Sequence, residues 1–333
     1  MKGKLYDINK AAEIIKQGKL LMIAADEKLL RQLPKGNWIG GTIPYFFDEY
    51  GAKFTTDKVF VQELINPINT FKIVEYNKDN IKHIAEDGYD NGYIILILPY
   101  NSPVHFEYAL NALKYNKLHQ NPIVGWVSGY DLNNPNGKAK VINGLKGDLD
   151  EENAIVIHVK LPEEKIAVFK IVNIYEEDPN SPVIEFLEDG FSTKNCLIDG
   201  EPYLLADYIK ENNIDINFPL ITTSVRLHKN ISFKEIKEDK TVEFYLPFFK
   251  DLQYRFTRKI EYKNIYRRLN LGVLKPNDKI EKTFGVNCIL NYTVGKLEGK
   301  VIENFTGPAT FGEVAYVLHN QTLVELVVID NEK

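Results

Sequence analysis

The segment Tyr93-Ile-Ile-Leu-Ile-Leu98 has no charged residue and no strongly polar side chain. A strand with this pattern has no face for water, so other parts of the fold must cover it on both sides. Residues 323–329 also lack a sustained polar face. Between such strands lie helical patterns, for example residues 104–115 after the N-terminal signal Ser102-Pro103. We therefore predict a mixed α/β (α+β) fold with two central strands and with largely antiparallel or mixed sheets that are covered by helices.

Composition limits the class of protein and its partners. The chain has 333 residues, of which 44% are hydrophobic and 26% charged, and a net charge of -5. This length exceeds what one core usually needs and suits two domains. The negative charge gives no general attraction to nucleic acid or to an anionic membrane, so we predict neither as a partner. The oligomeric state stays open.

The cellular compartment is inferred from cysteine usage and from hydrophobic runs. Cys196 and Cys288 lie far apart, without the spacing of a disulfide framework or of a CxxC metal site. The first residues lack the apolar core of a signal peptide, and the longest hydrophobic run, residues 93–98, is too short to span a bilayer. We therefore predict a cytoplasmic protein.

A glycine-flanked segment near the C-terminus carries an ionisable pair, Glu313 and His319. Gly312 permits a close approach or an unusual backbone conformation beside Glu313. The alternating apolar residues around it predict a strand, and His-Asn-Gln after it predicts the turn of a closing hairpin. Residues 36–45 match residues 307–316 weakly, at Gly41 and Gly312 among others, which predicts two related subdomains.

One family resembles this chain over most of its length. The order Phe284-Gly-Val-Asn-Cys-Ile-Leu290, then residues 307–313, then Leu318-His-Asn-Gln-Thr322 resembles the C-terminal half of the FIST family of ligand-sensing proteins. That family has a strand cysteine, a glycine-glutamate step and a terminal histidine-asparagine-threonine. The N-terminal half is similar more loosely, through residues 36–45, 57–61, 122–125 and 141–144. The resemblance implies a FIST N-terminal-like domain over residues 1–162 and a FIST C-terminal-like domain over residues 163–333.

Two positions depart from the family pattern, so we expect a divergent member. The N-terminal glycine-glutamate step is Gly41-Thr42 here, and no arginine follows Cys288 in Cys288-Ile-Leu-Asn-Tyr292. The resemblance implies a sensory module for a small molecule such as an amino acid, acting in signal transduction, with haem in some members. Because both halves are sensor-like, we expect a separate signalling partner. No histidine lies in a recognised haem motif, so we predict no haem and no other cofactor.

We predict a concave site near the two glycine segments that binds a small-molecule ligand without catalysis. The predicted ligand-binding residues are Gly40, Gly41, Thr42, Gly312, Glu313, His319 and Asn320. The Glu313 carboxylate suits a ligand ammonium group, or else it accepts hydrogen bonds from nearby backbone amides. His319 can change charge near neutral pH and face Glu313, or else it is a turn residue at the surface.

Two further functions remain open on sequence grounds. Cys288, Glu313 and His319 supply the groups of a cysteine-dependent hydrolase or lyase, although the apolar strand favours a buried structural role for Cys288. A protein-interaction scaffold is the other alternative. The chain contains no GxSxG, HExxH, P-loop or GxGxxG motif. The other histidines lack metal-site spacing, so we predict no metal; they are His83, His105, His119, His158 and His228.

Residues 244–268 interleave aromatic side chains with lysines and arginines. This composition is typical of an anion-binding face, whose arginines would bind an acidic small ligand. It also fits a long antiparallel pair with aromatic residues inward and charges outward. Trp38 and Trp126, both near glycines, line a pocket in one interpretation and fill the core in the other.

Overall fold

The computed structural model describes residues 3–64, 70–222, 229–275 and 280–331. Strands and helices mix along these residues, which confirms the predicted mixed α/β class. His228 lies outside the described residues.

One order of elements occurs three times in the described part of the chain. It runs strand, helix, strand, helix, strand, two-stranded hairpin, closing strand. The first occurrence, repeat 1, consists of β1 (Lys4–Tyr6), α1 (Ile8–Lys16), β2 (Leu21–Ala25), α2 (Glu27–Leu30), β3 (Trp38–Thr42), the hairpin of β4 (Tyr45–Asp48) and β5 (Gly51–Phe54), and β6 (Val59–Glu63).

Repeat 2 follows the same order, with a 3-10 helix at Ile81–His83 in place of the first helix. It consists of β7 (Thr70–Tyr76), β8 (Gly92–Pro99), α3 (Pro103–Asn111), a 3-10 helix at Ala112–Lys114, β9 (Ile123–Ser128), the hairpin of β10 (Val141–Asn143) and β11 (Leu149–Asp150), and β12 (Ala154–Lys160). The predicted start of α3 is confirmed, because the Ser102 hydroxyl accepts a hydrogen bond from the His105 amide at 3.2 Å and Pro103 opens the helix.

Repeat 3 opens with β13 (Lys165–Asn173) and is then interrupted by an insertion, residues 184–256. The insertion contains β14 (Ile184–Phe186), β15 (Gly190–Thr193), β16 (Asn195–Ile198), β17 (Glu201–Leu204), α4 (Leu205–Glu211), β18 (Leu220–Thr222), β19 (Asn230–Ile231), β20 (Phe233–Ile236), β21 (Val242–Phe248) and β22 (Gln253–Phe256). Its strands pair antiparallel in the orders β17-β16-β14-β22-β18-β19 and β15-β21-β20.

Repeat 3 resumes after the insertion and closes the chain. Its remaining elements are α5 (Tyr262–Gly272), β23 (Ile280–Cys288), α6 (Ile289–Val294), β24 (Gly307–Thr310), the hairpin of β25 (Glu313–Ala315) and β26 (Val317–His319), and β27 (Thr322–Asp330).

The sheets that contain these repeats share one pattern of strand directions. Their orders are β1-β6-β2-β3-β10-β11, β7-β12-β8-β9-β25-β26 and β13-β27-β23-β24-β4-β5. In each sheet the described pairs are antiparallel except for one parallel pair in the middle: β2 with β3, β8 with β9, or β23 with β24. At one edge of each sheet, the last two strands are the hairpin of a different repeat. Repeat 2 supplies this hairpin to the sheet of repeat 1, repeat 3 to that of repeat 2, and repeat 1 to that of repeat 3.

This exchange carries strands across the predicted domain boundary. The hairpin of repeat 3 extends the sheet of repeat 2, and the hairpin of repeat 1 extends the sheet of repeat 3. A division at residue 162 stays a prediction, and strands from both sides of that point share two sheets.

The two predicted central strands are confirmed. Strand β8 lies between β9 and β12, and β27 lies between β13 and β23. Each residue of β8 is buried, as are residues 322–328 of β27. The absence of a polar face in both segments therefore reflects cover on both sides.

The two glycine segments occupy equivalent places, as predicted. Strands β3 and β24 are each the third strand of their repeat and each run parallel to the second. Strand β9 has the same place in repeat 2. The three strands end at Thr42, Ser128 and Thr310, all of them buried.

Two local predictions are wrong. The His-Asn-Gln turn does not close a hairpin, because β26 pairs with β25 while β27 belongs to another sheet, a consequence of the hairpin exchange. The hairpin turn lies instead at Tyr316, whose φ is 61°. The suggested antiparallel pair within residues 244–268 is absent among the described residues, because β21 and β22 join different sheets of the insertion.

Candidate functional site

A cavity of about 270 Å³ lies where the insertion meets the repeats. We call it the tyrosine cavity, and its lining residues are Tyr100, Tyr130, Leu132, Lys234, Tyr245, Ile289, Leu290, Thr293, Phe311 and Asn320. A neighbouring cavity of about 210 Å³ shares Tyr100 and Tyr130 with it. The two phenol rings therefore stand between two concave spaces.

Strand ends place most of the lining. Tyr100 follows β8, Tyr130 comes two residues after β9, and Phe311 follows β24 directly. Parallel neighbours such as β8 and β9 end at the same edge of a sheet, and this edge is the usual place for ligands in sheets with parallel strands. The insertion supplies the opposite wall through Lys234 in β20 and Tyr245 in β21.

Aromatic contacts fix the floor of the cavity. The ring of Phe311 meets the ring of Tyr100 edge-on at 5.4 Å and that of Tyr130 at 5.0 Å, both within the range of favourable aromatic pairs. Tyr100 also lies 5.6 Å from the ring of His105. Phe311 thus holds two of the tyrosines in place from below.

The phenol groups of Tyr100 and Tyr245 hold their protons more tightly than an exposed tyrosine does, because their pKa values are raised. Burial, followed by the nearby charge of Tyr130 and then that of Glu243, raises the pKa of Tyr100 to about 12. Burial also raises the pKa of Tyr245, with a further contribution from Tyr100, while Lys234 lowers it. The phenol oxygens and the Lys234 ammonium therefore face one region.

Lys234 is held by an ion pair at the rim. Its Nζ lies 3.0 Å from Oε2 of Glu243, and Lys237 contacts the other oxygen of the same carboxylate. Lys237 does not belong to the cavity lining. Lys234 thus brings an ammonium group to the cavity, while its carboxylate partner is shared with Lys237.

Asn320 is the predicted ligand-binding residue that lines the cavity. It is 1% exposed, and its Oδ1 has no hydrogen-bond partner among the described residues. A buried amide oxygen without a partner costs about 1 to 3 kcal/mol, so a ligand or water that donates to it is favoured.

A polar network holds the backbone of Asn320 in position. Asn230 donates a hydrogen bond to the Asn320 carbonyl at 3.0 Å. The next residue, Gln321, accepts from Ser232 at 2.7 Å and donates to the Tyr175 hydroxyl at 3.0 Å. Residues of the insertion therefore form hydrogen bonds with the connection between β26 and β27.

Glu313 lies outside the cavity lining, fully buried. Its Oε2 accepts hydrogen bonds from the Thr322 amide at 3.2 Å and from the Thr322 hydroxyl at 2.7 Å, while Oε1 has no partner with hydrogen-bond geometry in the described ranges. Burial raises the pKa of Glu313 to about 8, although the Thr322 hydrogen bonds lower it. The group is therefore mostly an uncharged acid at pH 7, which does not suit an ion pair with a ligand amine.

His319 lies opposite Glu313 in the β25–β26 ladder but is not hydrogen-bonded to it in the described part of the chain. Its Nε2 lies 3.3 Å from the Ala315 carbonyl oxygen. Burial and, after it, the charge of Lys229 lower the pKa of His319 to about 3. Lys229 is itself buried, which lowers its pKa to about 8. His319 is thus neutral across the physiological range.

Cys288 is enclosed beside Glu313. Burial, followed by the charge of Glu313, raises the pKa of the thiol well above its ordinary value. A reactive cysteine needs a lowered pKa and access to solvent, and Cys288 is fully buried. The alternative set Cys288, Glu313 and His319 is brought into one region without the activation that a thiol nucleophile needs.

The predicted Gly40, Gly41 and Thr42 are not among the residues that line the cavity. The two glycines allow neighbouring groups to approach closely, because a Cβ on Gly41 would lie 2.8 Å from the Trp126 ring and one on Gly40 would lie 2.6 Å from the Ile23 carbonyl. The Thr42 hydroxyl donates to the Gly129 carbonyl at 2.7 Å, next to Tyr130.

The last predicted glycine, Gly312, allows Val127 to pack closely against the backbone. A Cβ at this position would lie 3.2 Å from Val127 Cγ2. The Gly312 carbonyl accepts a hydrogen bond from the Val127 amide at 2.9 Å. Gly312 thus joins the C-terminal glycine segment to the end of β9.

The comparisons with known proteins identify a family. One family model matches residues 6–329 of the chain. The chain belongs to DUF6976, a family of unknown function. No curated protein matches it. Membership in DUF6976 leaves the predicted FIST resemblance and the ligand untested, and both stay predictions.

In this DUF6976 chain, the arginines of the basic segment at residues 244–268 do not line the tyrosine cavity. Arg255 binds the Ser181 carbonyl, Arg258 donates to the Glu177 carbonyl at 3.3 Å, and Arg268 donates to the Ile174 carbonyl at 2.7 Å. They fasten the connection between β13 and β14 instead. Trp38 and Trp126 are fully buried in the core.

The described residues contain neither a candidate metal cluster nor a helix that could span a membrane. No group of three or more His, Cys, Asp or Glu side chains is placed to hold a metal ion in that part of the chain. Every helix described there is too short or too polar to cross a lipid bilayer.

Sequence reasoning missed Tyr100, Tyr130, Lys234 and Tyr245. A signal for the first two exists, because each tyrosine comes within two residues of the end of an apolar strand. Lys234 and Tyr245 give no such signal, since they belong to the insertion and lie more than 100 residues along the chain from Tyr100 and Tyr130.

Proposed function

We propose that the chain binds a small organic molecule in the tyrosine cavity. One observation carries this proposal: Asn320 is almost completely buried, lines the cavity and has an amide oxygen without a hydrogen-bond partner among the described residues. Native proteins seldom leave such an atom unpaired. A ligand that donates to it removes that cost.

The cavity favours a small ligand with a flat or apolar body. Its volume of about 270 Å³ lies just below the range of roughly 300 to 1,000 Å³ that is common for ligand pockets. Phe311, Ile289 and Leu290 provide apolar surface, and a few polar groups converge on it. This combination is the usual composition of a small-molecule site.

We assign different parts to the ligand-binding residues predicted from sequence. Asn320 contacts the ligand. Glu313 holds Thr322 and thereby the connection that carries Asn320. The glycines and Thr42 allow neighbouring strands to approach closely. His319 is a neutral member of the same hairpin.

The proposal includes a sensory role in the cytoplasm with a separate protein partner. It rests on the position of the cavity, since the insertion forms one wall and the repeats form the other. A ligand that contacts both walls favours one arrangement of the insertion relative to the repeats, and a protein partner could recognise that arrangement. We propose binding without catalysis, since Cys288 is enclosed with its pKa raised.

Native mass spectrometry with a matched pair of variants tests the proposal. Leu132 lines the cavity and Leu145 does not, yet both are 49% exposed. Leu132→Trp fills the cavity, whereas Leu145→Trp adds the same group elsewhere. We expect a small molecule bound to the wild type and to Leu145→Trp but not to Leu132→Trp. Equal retention by both variants, or a co-purified molecule that the protein converts to product, contradicts the proposal.

A further inference from the structure

We infer that the ligand of the tyrosine cavity carries a single carboxylate, which the phenol hydroxyls and Lys234 bind. This inference rests on the proposed function and adds the chemical class of the ligand. It is argued from the hydrogen-bond donors among the lining residues, which are three tyrosine hydroxyls and the Lys234 ammonium group.

The hydroxyls of Tyr100, Tyr130 and Tyr245 are available to a ligand. All three residues line the cavity, and each is only partly buried. None of the three hydroxyls is among the enclosed side-chain atoms without a partner in the described ranges. A neutral phenol donates one hydrogen bond, and a carboxylate accepts several.

The charges near these hydroxyls select an anion. Lys234 lines the cavity, while its partner Glu243 is also neutralised by Lys237. Lys234 is thus the lysine of this group that a ligand in the cavity can reach. A ligand carboxylate would meet an ammonium group there, whereas a ligand ammonium would meet Lys234 with the same sign.

A carboxylate suits this set better than a phosphate does. Among the described residues, no arginine lines the cavity. Recognition of phosphate usually relies on arginine or on several cations. One shared lysine and three phenol hydroxyls match a planar monoanion, whose two oxygens accept from different sides. Asn320 Oδ1 then accepts from a hydroxyl or N–H on the body of the ligand.

Titration with acid and amide pairs tests the carboxylate directly. The probes are 4-hydroxybenzoate with 4-hydroxybenzamide, 4-hydroxyphenylacetate with its amide, and indole-3-acetate with its amide. Each pair keeps its shape and changes its charge. We expect at least one acid to bind the full chain about tenfold to a hundredfold more tightly than its amide, the range of one charge-assisted hydrogen bond.

Lys234→Met and Lys237→Met form a matched pair for the site. Both lysines bind Glu243 and their side chains are 41% and 46% exposed, but only Lys234 lines the cavity. We expect Lys234→Met to weaken acid binding about tenfold or more and to leave amide binding nearly unchanged. Lys237→Met should change acid affinity less than threefold. Tyr245→Phe, which keeps the ring, should also weaken the acid selectively.

The outcomes separate this inference from the function on which it rests. Amides that bind as tightly as their acids, with Leu132→Trp blocking both, overturn the carboxylate and retain a small-molecule site. Equal effects of Lys234→Met and Lys237→Met also overturn it. Binding of no probe, with no small molecule retained by the wild type, overturns both proposals.

Discussion

Glu313 and Thr322 are joined by two hydrogen bonds to one carboxyl oxygen, from the Thr322 amide at 3.2 Å and from its hydroxyl at 2.7 Å. Glu313 begins β25, which extends the sheet of repeat 2, and Thr322 begins β27, the central strand of the repeat 3 sheet. The contact therefore ties the exchanged hairpin to its own repeat. Asn320, which lines the tyrosine cavity, lies on the short connection that this contact closes.

The carboxyl of Glu313 should make the protein less stable as the pH rises. Its pKa is about 8 in the folded protein against an ordinary value of 4.5. The folded state therefore holds a proton that the unfolded state has released, and the free energy of unfolding falls by about 1.4 kcal/mol per pH unit between these values.

Glu313→Gln removes this titration while keeping the shape of the side chain. Urea denaturation of both proteins at pH 7, 7.5 and 8 measures the effect as a difference, because the buried histidines and Lys229, whose pKa burial lowers to about 8, titrate alike in the two proteins. We expect the wild type to lose stability relative to Glu313→Gln across the series. Parallel curves for the two proteins would show that Glu313 is ionised in the folded state.

The buried histidines should make the protein sensitive to acid. Burial lowers the pKa of His105 and His158 to about 4 and that of His319 to about 3. Below pH 6.5 the unfolded chain binds protons that the folded chain excludes, so stability falls with pH. His319→Asn should reduce the slope of stability between pH 6.5 and 5 by about one proton.

Neither cysteine should react in the folded protein. Both are free and buried, and burial raises the pKa of Cys196 to about 12 and that of Cys288 well above its ordinary value. Titration with a thiol reagent at pH 8 should label no cysteine before denaturation and both after it. Fast labelling of Cys288 in folded protein would place the hydrolase alternative ahead of ligand binding.

Strand β3 should not tolerate a side chain at Gly41. An added Cβ would lie 2.8 Å from the Trp126 ring and 3.0 Å from Ile97 and Ser128. Overpacking of this kind typically costs about 1 to 3 kcal/mol. Gly190→Ala is the control, because its Cβ would have only ordinary contacts, the nearest at 3.7 Å. Denaturation curves that shift equally for Gly41→Ala and Gly190→Ala would contradict the close approach.

The sequence predicts elements whose cause is local. The apolar segments at β8 and β27 indicate central strands because neither has a polar face, and Ser102-Pro103 indicates the start of α3 because cap and proline act within one turn. The two glycine segments resemble each other because each spans the third strand of a repeat and the start of the hairpin after it, although Gly41 lies within β3 and Gly312 follows β24. The equivalent segment of repeat 2, at β9, keeps little of that residue pattern.

The site depends on contacts that no local pattern encodes. Asn320 was predicted through its glycine-flanked neighbourhood, but the hairpin exchange decides that Glu313 turns inward to Thr322 instead of toward a ligand. Lys234 and Tyr245 reach Tyr100 only because the insertion folds back over the strand ends. Such long-range placement follows from the tertiary fold and has no signature in composition or spacing.

A crystal structure of the protein soaked with 4-hydroxybenzamide and, separately, with 4-hydroxybenzoate tests the central claim most directly. The account predicts density for a bound molecule inside the tyrosine cavity, with a donor atom within hydrogen-bond distance of Asn320 Oδ1. Density for the probes at another place, with only water in the cavity of protein that binds them in solution, would contradict it.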